Sequence, residues 1–101
     1  MELDYIQELK NDQAVGPMVE YNIVFNYKVR IVNRGEGLFY HEIDNDRAII
    51  VDIQVRNDTI FKNSIIRWDN GKNIAADEKE IIIKRVISYF SRFQKTDVSI
   101  I

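Results

Sequence analysis

Residues 21–31 read YNIVFNYKVRI and decide the fold class of this chain. Every odd-numbered position from Tyr21 to Ile31 is apolar or aromatic, and the positions between them are polar except for Val24. A period of two is typical of a strand with one buried face. The segment therefore predicts either one long strand or two strands with a bend near Asn26.

Beyond this segment, turn signals alternate with further strand-like stretches. The apolar stretches lie at residues 38–43, 48–55 and 59–68, and Gly, Asn and Asp cluster between them. The last stretch reads either as continuous or as broken at residues 63–64. Turn signals at intervals of about 8–12 residues predict a sequential antiparallel meander. The two ends stay ambiguous, since residues 2–10 fit a helix or a strand and residues 96–101 fit a short strand or a tail.

The period changes at residues 75–93, which predict an amphipathic helix. Acidic residues occupy its first turns and basic residues its end, which complements the helix dipole. One stripe of the helix is apolar and consists of Ile82, Ile83, Val86, Ile87, Tyr89, Phe90 and Phe93. Ile81 falls on the polar side, either as an exposed residue or as a contact. A lone helix cannot bury such a stripe, so it is expected to dock on the sheet.

The predicted fold class is therefore α+β. We expect an antiparallel β meander of about five strands with one C-terminal amphipathic helix packed on one face. The 101 residues, with a mass of 11.9 kDa, suit a single globular domain spanning residues 1–101.

Composition excludes several classes of protein. The chain has no cysteine, which rules out disulfides and thiolate metal sites. No apolar run approaches the ~18–20 residues of a membrane span. The N-terminal residues show neither the basic nor the apolar region of a secretory signal, so a cytoplasmic location and no membrane partner are expected.

Charge is distributed unevenly along the chain. The net charge of −2 and the pI near 5.4 argue against a nucleic-acid partner. Residues 35–60 nevertheless carry only two basic residues beside six acidic ones: Glu36, Glu42, Asp44, Asp46, Asp52 and Asp58. These six carboxylates are the predicted contacts to a basic protein partner. The competing interpretation is that they cap turns and keep sheet edges soluble.

Few residues could carry catalysis. His41 is the only histidine, and it precedes Glu42 in a predicted strand, where neighbours point to opposite faces. A metal-independent ribonuclease using His41 with Glu42 or Tyr40 would need the fold to re-aim these groups. No His, Asp and Glu cluster has the spacing of metal ligands, and Asp44 and Asp46 lack the rest of a calcium loop. We therefore expect no catalytic residue, no metal and no cofactor.

Trp68, the single tryptophan, lies beside Arg67 and Asp69 where the last predicted strand meets a turn. Such a residue is either part of the core or the anchor of an interface, where tryptophan is enriched. We include it among the predicted partner-binding residues. A structural subunit that oligomerises through a sheet edge or through Ile81 remains a further alternative.

The C-terminal half combines three groups of residues: Ser64-Ile65-Ile66-Arg67-Trp68-Asp69, then Gly71 and Ile74, then Glu78-Lys79 followed by Ile82, Val86-Ile87 and Tyr89-Phe90. With these features, roughly residues 37–93 resemble small immunity proteins of bacterial toxin systems, including contact-dependent growth inhibition and related polymorphic toxins. The resemblance implies a cytoplasmic inhibitor that neutralises one cognate toxin domain. The sequence leaves the oligomeric state open, and we expect a monomer. For a nuclease toxin, the acidic residues would plug its basic active-site cleft.

Overall fold

A single mixed sheet organises the computed structural model, which describes residues 2–12, 19–93 and 98–101. Within these residues six strands lie in the spatial order β1 to β6. They are β1 (Val19–Asn22), β2 (Tyr27–Val32), β3 (Gly37–Glu42), β4 (Arg47–Gln54), β5 (Thr59–Ile60) and β6 (Ser99–Ile100). The helices are α1 (Glu2–Asn11) and α2 (Ala76–Phe93), and three short 3-10 turns cover Asn33–Gly35, Val55–Asn57 and Lys62–Ser64.

The first five strands form the predicted antiparallel meander, each pairing with its neighbour in sequence. The sixth strand was only one of two alternatives for the C-terminal residues, and it pairs parallel to β5, with Thr59 opposite Ser99. Parallel pairing needs a crossover connection, and α2 lies within this one. The α+β prediction is confirmed, but the sheet is mixed and has one strand more than expected.

The segment that decides the fold class is a hairpin. β1 and β2 pair with Asn22 opposite Tyr27, so residues 23–26 form the turn between them. Two asparagines build this turn: the Asn22 side chain accepts a 2.9 Å hydrogen bond from the Phe25 amide, and Asn26 adopts a φ of 55°. Of the two alternatives, the two-strand prediction is confirmed. The alternation nevertheless assigned Ile23 and Phe25 to the buried side, and the turn exposes them.

Both faces of the sheet are covered by a helix. The larger core lies between the sheet and α2, where Ile82, Val86 and Phe90 are fully buried with Tyr40. On the other face α1 packs Ile6 and Leu9 against a second cluster formed by Val32, Phe39 and Ala48. The docking of α2 on one face was predicted, and the helical alternative for residues 2–10 is confirmed. No helix among the described residues combines the length and apolar character needed to cross a membrane.

The predicted strand at residues 59–68 is mostly irregular. Only Thr59–Ile60 is a strand, and a 3-10 turn follows at Lys62–Ser64. The Ser64 hydroxyl explains the change, since its Oγ accepts a 2.9 Å hydrogen bond from the Asp52 amide of β4. A side chain thus takes the place of a strand partner. A 3-10 turn does lie at the predicted break, residues 63–64, but the strand does not resume beyond it apart from an isolated bridge between Arg67 and Asn73.

Gly37, the first residue of β3, provides a test of this packing. A Cβ atom there would lie 3.0 Å from Ile50 Cγ2 and 3.1 Å from Val32 Cγ2, closer than side chains normally approach. Alanine gains some stability through the unfolded state, but overpacking outweighs it. We expect Gly37→Ala to lower the free energy of unfolding by about 1–2 kcal/mol, measured in urea.

Gly71→Ala is the matched control for this substitution. Gly71 has a φ of 88° and open space around it, so alanine there meets backbone strain alone. A loss of similar size, about 1–2 kcal/mol, is expected at Gly71, but there it comes from the left-handed backbone and not from packing. A Gly37→Ala protein as stable as the parent would contradict the close approach of β3 to Val32 and Ile50.

Candidate protein-binding site at the hairpin end of the sheet

Two turns meet at one end of the sheet. The turn at residues 23–26 joins β1 to β2, and the turn at residues 43–46 joins β3 to β4. They are tied together by a 3.0 Å hydrogen bond from the Ile43 amide to the Asn26 carbonyl and by a 2.6 Å bond from Asn26 Nδ2 to Asp44. We call residues 21–26 and 42–46 the hairpin end. The cross-links hold its two turns in one fixed surface.

The hairpin end concentrates the exposed apolar surface of the protein. Ile23, Val24 and Phe25 are 79%, 78% and 64% exposed, and they follow one another at the tip of the turn. Tyr21 and Ile43 are exposed beside them, so this end contains five of the eight large exposed hydrophobic side chains among the described residues. Scattered single residues of this kind are ordinary, but a contiguous apolar patch indicates a binding surface.

Carboxylates border this apolar tip. Asp44 is exposed and the Asp46 side chain is 74% exposed. The neighbouring cations point inward, since the side chains of Lys10, Arg47 and Arg85 are 7%, 23% and 20% exposed. A partner approaching this end therefore meets negative charge first, although several basic groups lie just beneath it.

A network of charged groups supports the hairpin end on the α2 side of the sheet. Glu42 accepts hydrogen bonds of 2.7 Å from Arg47 Nε and 2.7 Å from the Tyr40 hydroxyl, which in turn accepts 2.6 Å from Arg85. Burial alone acts to raise the pKa of Glu42, but the hydrogen bonds from Tyr40 and Arg47 outweigh it and lower that pKa. Burial raises the pKa of Tyr40, so its hydroxyl stays neutral. Glu42, a predicted contact, is therefore largely occupied within the protein.

Arg85 connects this network to the apolar tip. Its guanidinium carbon lies 4.5 Å from the centre of the Tyr27 ring and 5.2 Å from the centre of the Phe25 ring. Such stacking is attractive because the ring faces are electron-rich. Phe25 is thus positioned by a residue of α2, although most of its own surface faces solvent.

His41 lies on the opposite face of the sheet from Tyr40 and Glu42. Its Nε2 atom is 3.1 Å from Asp46 Oδ1, and its ring packs 5.8 Å from that of Phe39. Lys10 of α1 completes the group, with Nζ 2.6 Å from Asp69 and 3.3 Å from Asp46. The pairing of His41 with Glu42 or Tyr40 that a ribonuclease would need is therefore not assembled, because strand alternation separates the groups. Among the described residues, no group of three His, Asp or Glu side chains could hold a metal ion.

The pH dependence of stability follows from these groups. Burial lowers the pKa of His41 from about 6.5, and the charge of Lys10 lowers it further against the opposing effect of Asp46. The unfolded chain then binds a proton before the folded chain does, so stability is complete above about pH 6.5 and falls as the pH drops through the folded pKa. The lowered pKa values of Glu42 and Glu78 add a further loss in more acidic solution.

The test is the urea midpoint measured at several pH values. His41→Gln should remove the loss nearest neutrality and leave the more acidic loss in place. An unchanged profile in this variant would contradict the burial of the neutral imidazole. On the alkaline side, burial raises the pKa of Tyr89 to about 12, so stability is expected to fall above about pH 10, where tyrosine in the unfolded chain ionises.

The other three predicted carboxylates lie at the opposite end of the sheet. Gly37 pairs with Asp52, and Glu42 pairs with Arg47 at the other end of the same two strands, roughly 17 Å away. Glu36 precedes Gly37, and Asp58 follows the 3-10 turn Val55–Asn57. The six acids therefore do not form one surface. Asp46 and Asp58 adopt φ values of 49° and 50°, so at these two positions the turn-capping interpretation fits well.

Trp68 is the clearest correction to the predicted contacts. It is only 3% exposed and belongs to the core on the α2 side. Its ring lies 6.2 Å from that of Tyr40, and the Arg47 guanidinium stacks on it at 4.1 Å. A ring enclosed in this way is not available to fill a pocket on a partner, so the prediction of an interface anchor is wrong.

The exposed residues Ile23, Val24 and Phe25 were missed because they fit the strand alternation. Asn22 and Asn26, which flank them, were the available signal, since asparagine tolerates turn conformations. The apolar tip therefore emerges from the fold rather than from the sequence pattern, whereas Asp44 and Asp46 beside it were among the predicted contacts. Comparisons of this chain with protein-family models, with curated proteins and with solved structures gave no match.

Proposed function

We propose that this protein is an immunity-type inhibitor that binds one basic toxin domain through its hairpin end and so neutralises it in the cytoplasm. The observation that carries the proposal is the exposed apolar tip of Ile23, Val24 and Phe25 next to the exposed carboxylates Asp44 and Asp46. The resemblance of residues 37–93 to immunity proteins supplies the class of partner. The hairpin end supplies the surface.

The apolar tip accounts for affinity. Burying a large apolar side chain contributes about 1.5–3 kcal/mol, so the three tip residues together are substantial against the entropy cost of association. The turn at residues 23–26 is already fixed by Asn22 and Asn26 in the free protein. Little additional ordering is then required on binding, which favours tight association.

The carboxylates account for the choice of partner. A nuclease toxin binds the phosphates of its substrate in a basic cleft, and an acidic protein surface matches such a cleft. Because the hairpin end contains only half of the acidic residues predicted as contacts, the proposed plug is smaller than the sequence suggested. It consists of Asp44, Asp46 and the apolar tip, with Glu42 supporting them from beneath.

The proposal predicts that a toxin domain is encoded directly upstream. The first experiment is co-expression with that domain, scored by growth and by the dissociation constant of the purified pair. The double substitution Ile23→Ser and Val24→Ser should weaken binding by at least about a hundredfold, because two apolar side chains no longer become buried. Ile66→Ser is the control, since Ile66 is 59% exposed but lies outside the hairpin end. Equal growth protection by both variants would exclude the apolar tip from the interface.

The second experiment addresses charge. Asp44→Lys should weaken binding by about tenfold and reduce the dependence of association on salt. Asp52→Lys, at the opposite end of the sheet, makes the same charge change and should have little effect. Asp44 is preferred to Asp46 for this test because Asp46 forms charged contacts with both Lys10 and His41 within the fold. Asp44 loses only its hydrogen bond from Asn26, and the bond from the Ile43 amide to the Asn26 carbonyl still joins the two turns.

The apolar tip also suits contact with a second copy of this chain. A structural subunit that forms homo-oligomers is therefore the second candidate function. Light scattering after size exclusion separates the two. A monomer that forms a stoichiometric complex with the toxin domain supports the inhibitor. A stable homodimer that the Ile23 and Val24 substitutions dissociate would assign the tip to self-association instead.

A further inference from the structure

At the end of the sheet opposite the hairpin end, two 3-10 turns enclose a cleft of about 650 Å³. The turns are Asn33–Gly35 and Val55–Asn57, and each has an arginine at its middle position, Arg34 and Arg56. Ile31 and Val55 provide apolar lining between them. We call this feature the arginine cleft. Its volume lies in the range of small-molecule sites, roughly 300–1,000 Å³.

Arg34 and Arg56 differ from the other arginines of the protein. Five of the seven arginines form a hydrogen bond or an ion pair with another side chain: Arg30, Arg47, Arg67, Arg85 and Arg92. Arg34 and Arg56 have no such partner among the described residues, and both line the same cleft. Two guanidiniums in one cleft that form no ion pair with any described carboxylate favour binding of an anion.

The backbone fixes the spacing of the two turns. A Cβ atom on Gly35 would lie 3.3 Å from Val55 Cβ, so the turns are in close contact. The Ile53 amide donates a 3.1 Å hydrogen bond to the Glu36 carbonyl, which ties the end of the first turn to β4 just before the second. Arg34 itself has a φ of 58°, a conformation disfavoured for a residue other than glycine. Arginine thus occupies a position at which glycine would adopt the same backbone conformation with less strain.

We propose that the arginine cleft binds a small molecule that carries a phosphate monoester on a non-aromatic body. A dianionic phosphate matches two planar guanidinium forks, each of which donates two parallel hydrogen bonds. Ile31 and Val55 provide an apolar wall for the body of the ligand, and none of the described residues that line the cleft has an aromatic ring on which a nucleobase could stack. Glu36 also lines the cleft, where its carboxylate accepts a hydrogen bond from a hydroxyl of the ligand.

The test uses the full chain and follows backbone amide resonances during titration with glycerol 3-phosphate, with inorganic phosphate, and with sodium chloride at matched ionic strength. Saturable shifts at residues 34–36 and 55–57, with tighter binding of glycerol 3-phosphate than of phosphate, are expected. Arg34→Gln and Arg56→Gln should each weaken binding by about tenfold. Lys72→Gln, which removes the same charge from an exposed turn, should leave it unchanged.

Equal shifts with sodium chloride, or equal weakening by Lys72→Gln, would overturn the proposal, because binding would then reflect charge alone. Binding of a phosphoserine peptide without binding of glycerol 3-phosphate would overturn the small-molecule class.

Arg34→Gly separates ligand binding from folding. It relieves the left-handed conformation, so the melting temperature should hold or rise while binding of glycerol 3-phosphate weakens by about tenfold, as in Arg34→Gln. Unchanged binding in this variant would exclude Arg34 from the site. The arginine cleft is independent of the hairpin end, so failure of either proposal leaves the other standing.

Discussion

Replacing Trp68 with Ala is expected to lower the free energy of unfolding by about 3–5 kcal/mol, which is a large part of the stability of a domain this size. The indole is 3% exposed and packs against both the Arg47 guanidinium and the Tyr40 ring. Its removal leaves a cavity on the α2 side of the sheet and takes away the stacking surface of Arg47. Urea unfolding followed by far-ultraviolet circular dichroism measures the loss.

Two further variants make this result specific. Trp68→Phe keeps an aromatic ring and should lose clearly less stability than Trp68→Ala. Ile66→Ala, two residues away and 59% exposed, should change stability by no more than about 0.5 kcal/mol. A Trp68→Ala protein that unfolds at the same urea concentration as the parent would mean that the ring is a surface anchor, as the sequence alone allowed.

Replacing Arg85 with Ala is expected to cost roughly 2–4 kcal/mol, somewhat less than breaking a fully buried ion pair because the side chain is 20% exposed. Arg85 donates to the Tyr40 hydroxyl and lies 3.6 Å from Glu42, so its loss leaves a carboxylate with fewer compensating charges on that side. It also removes the stacking surface of Phe25. Urea unfolding gives the stability, and the dissociation constant of the toxin complex gives the effect on the apolar tip.

Arg85→Lys tests which property of the side chain matters. Lysine keeps the charge but lacks the planar group that stacks on Tyr27 and Phe25. Partial recovery of stability without recovery of partner binding is expected. If Arg85→Ala unfolds like the parent while Glu42→Gln does not, the support of the hairpin end would depend on Arg47 rather than on Arg85.

The elements predicted correctly are those with a sustained period. The stripe of α2 and the alternation of β2 and β4 reflect one buried face each. The alternation from Tyr21 to Phe25, by contrast, runs on into a turn, and there it misassigned Ile23 and Phe25. α1 stayed ambiguous because its short segment fits both periods. β6 was undecided because two residues carry no period at all, and its parallel direction depends on a crossover that sequence spacing does not reveal.

The binding residues were harder to predict because they depend on which turns meet. Six acidic residues that are close in sequence separate to the two ends of the sheet, since each meander strand reverses the direction of the chain. Trp68 gives no local signal of whether its ring is covered. The arginine cleft pairs Arg34 with Arg56, which are brought together only by the pairing of β3 with β4 and by the close contact of Gly35 with Val55.

The parallel pairing of β6 with β5 sets the order in which the chain can be completed during synthesis. β1 to β4 are joined by short turns, so these strands can pair as soon as they emerge from the ribosome. Thr59 and Ile60 must wait for Ser99 and Ile100, about forty residues later, before the second side of β5 is satisfied. Until then the backbone N–H and C=O groups on the outer side of β5 are unpaired. At this stage the nascent protein is most exposed to strand pairing with other chains, and binding of a chaperone would protect it most.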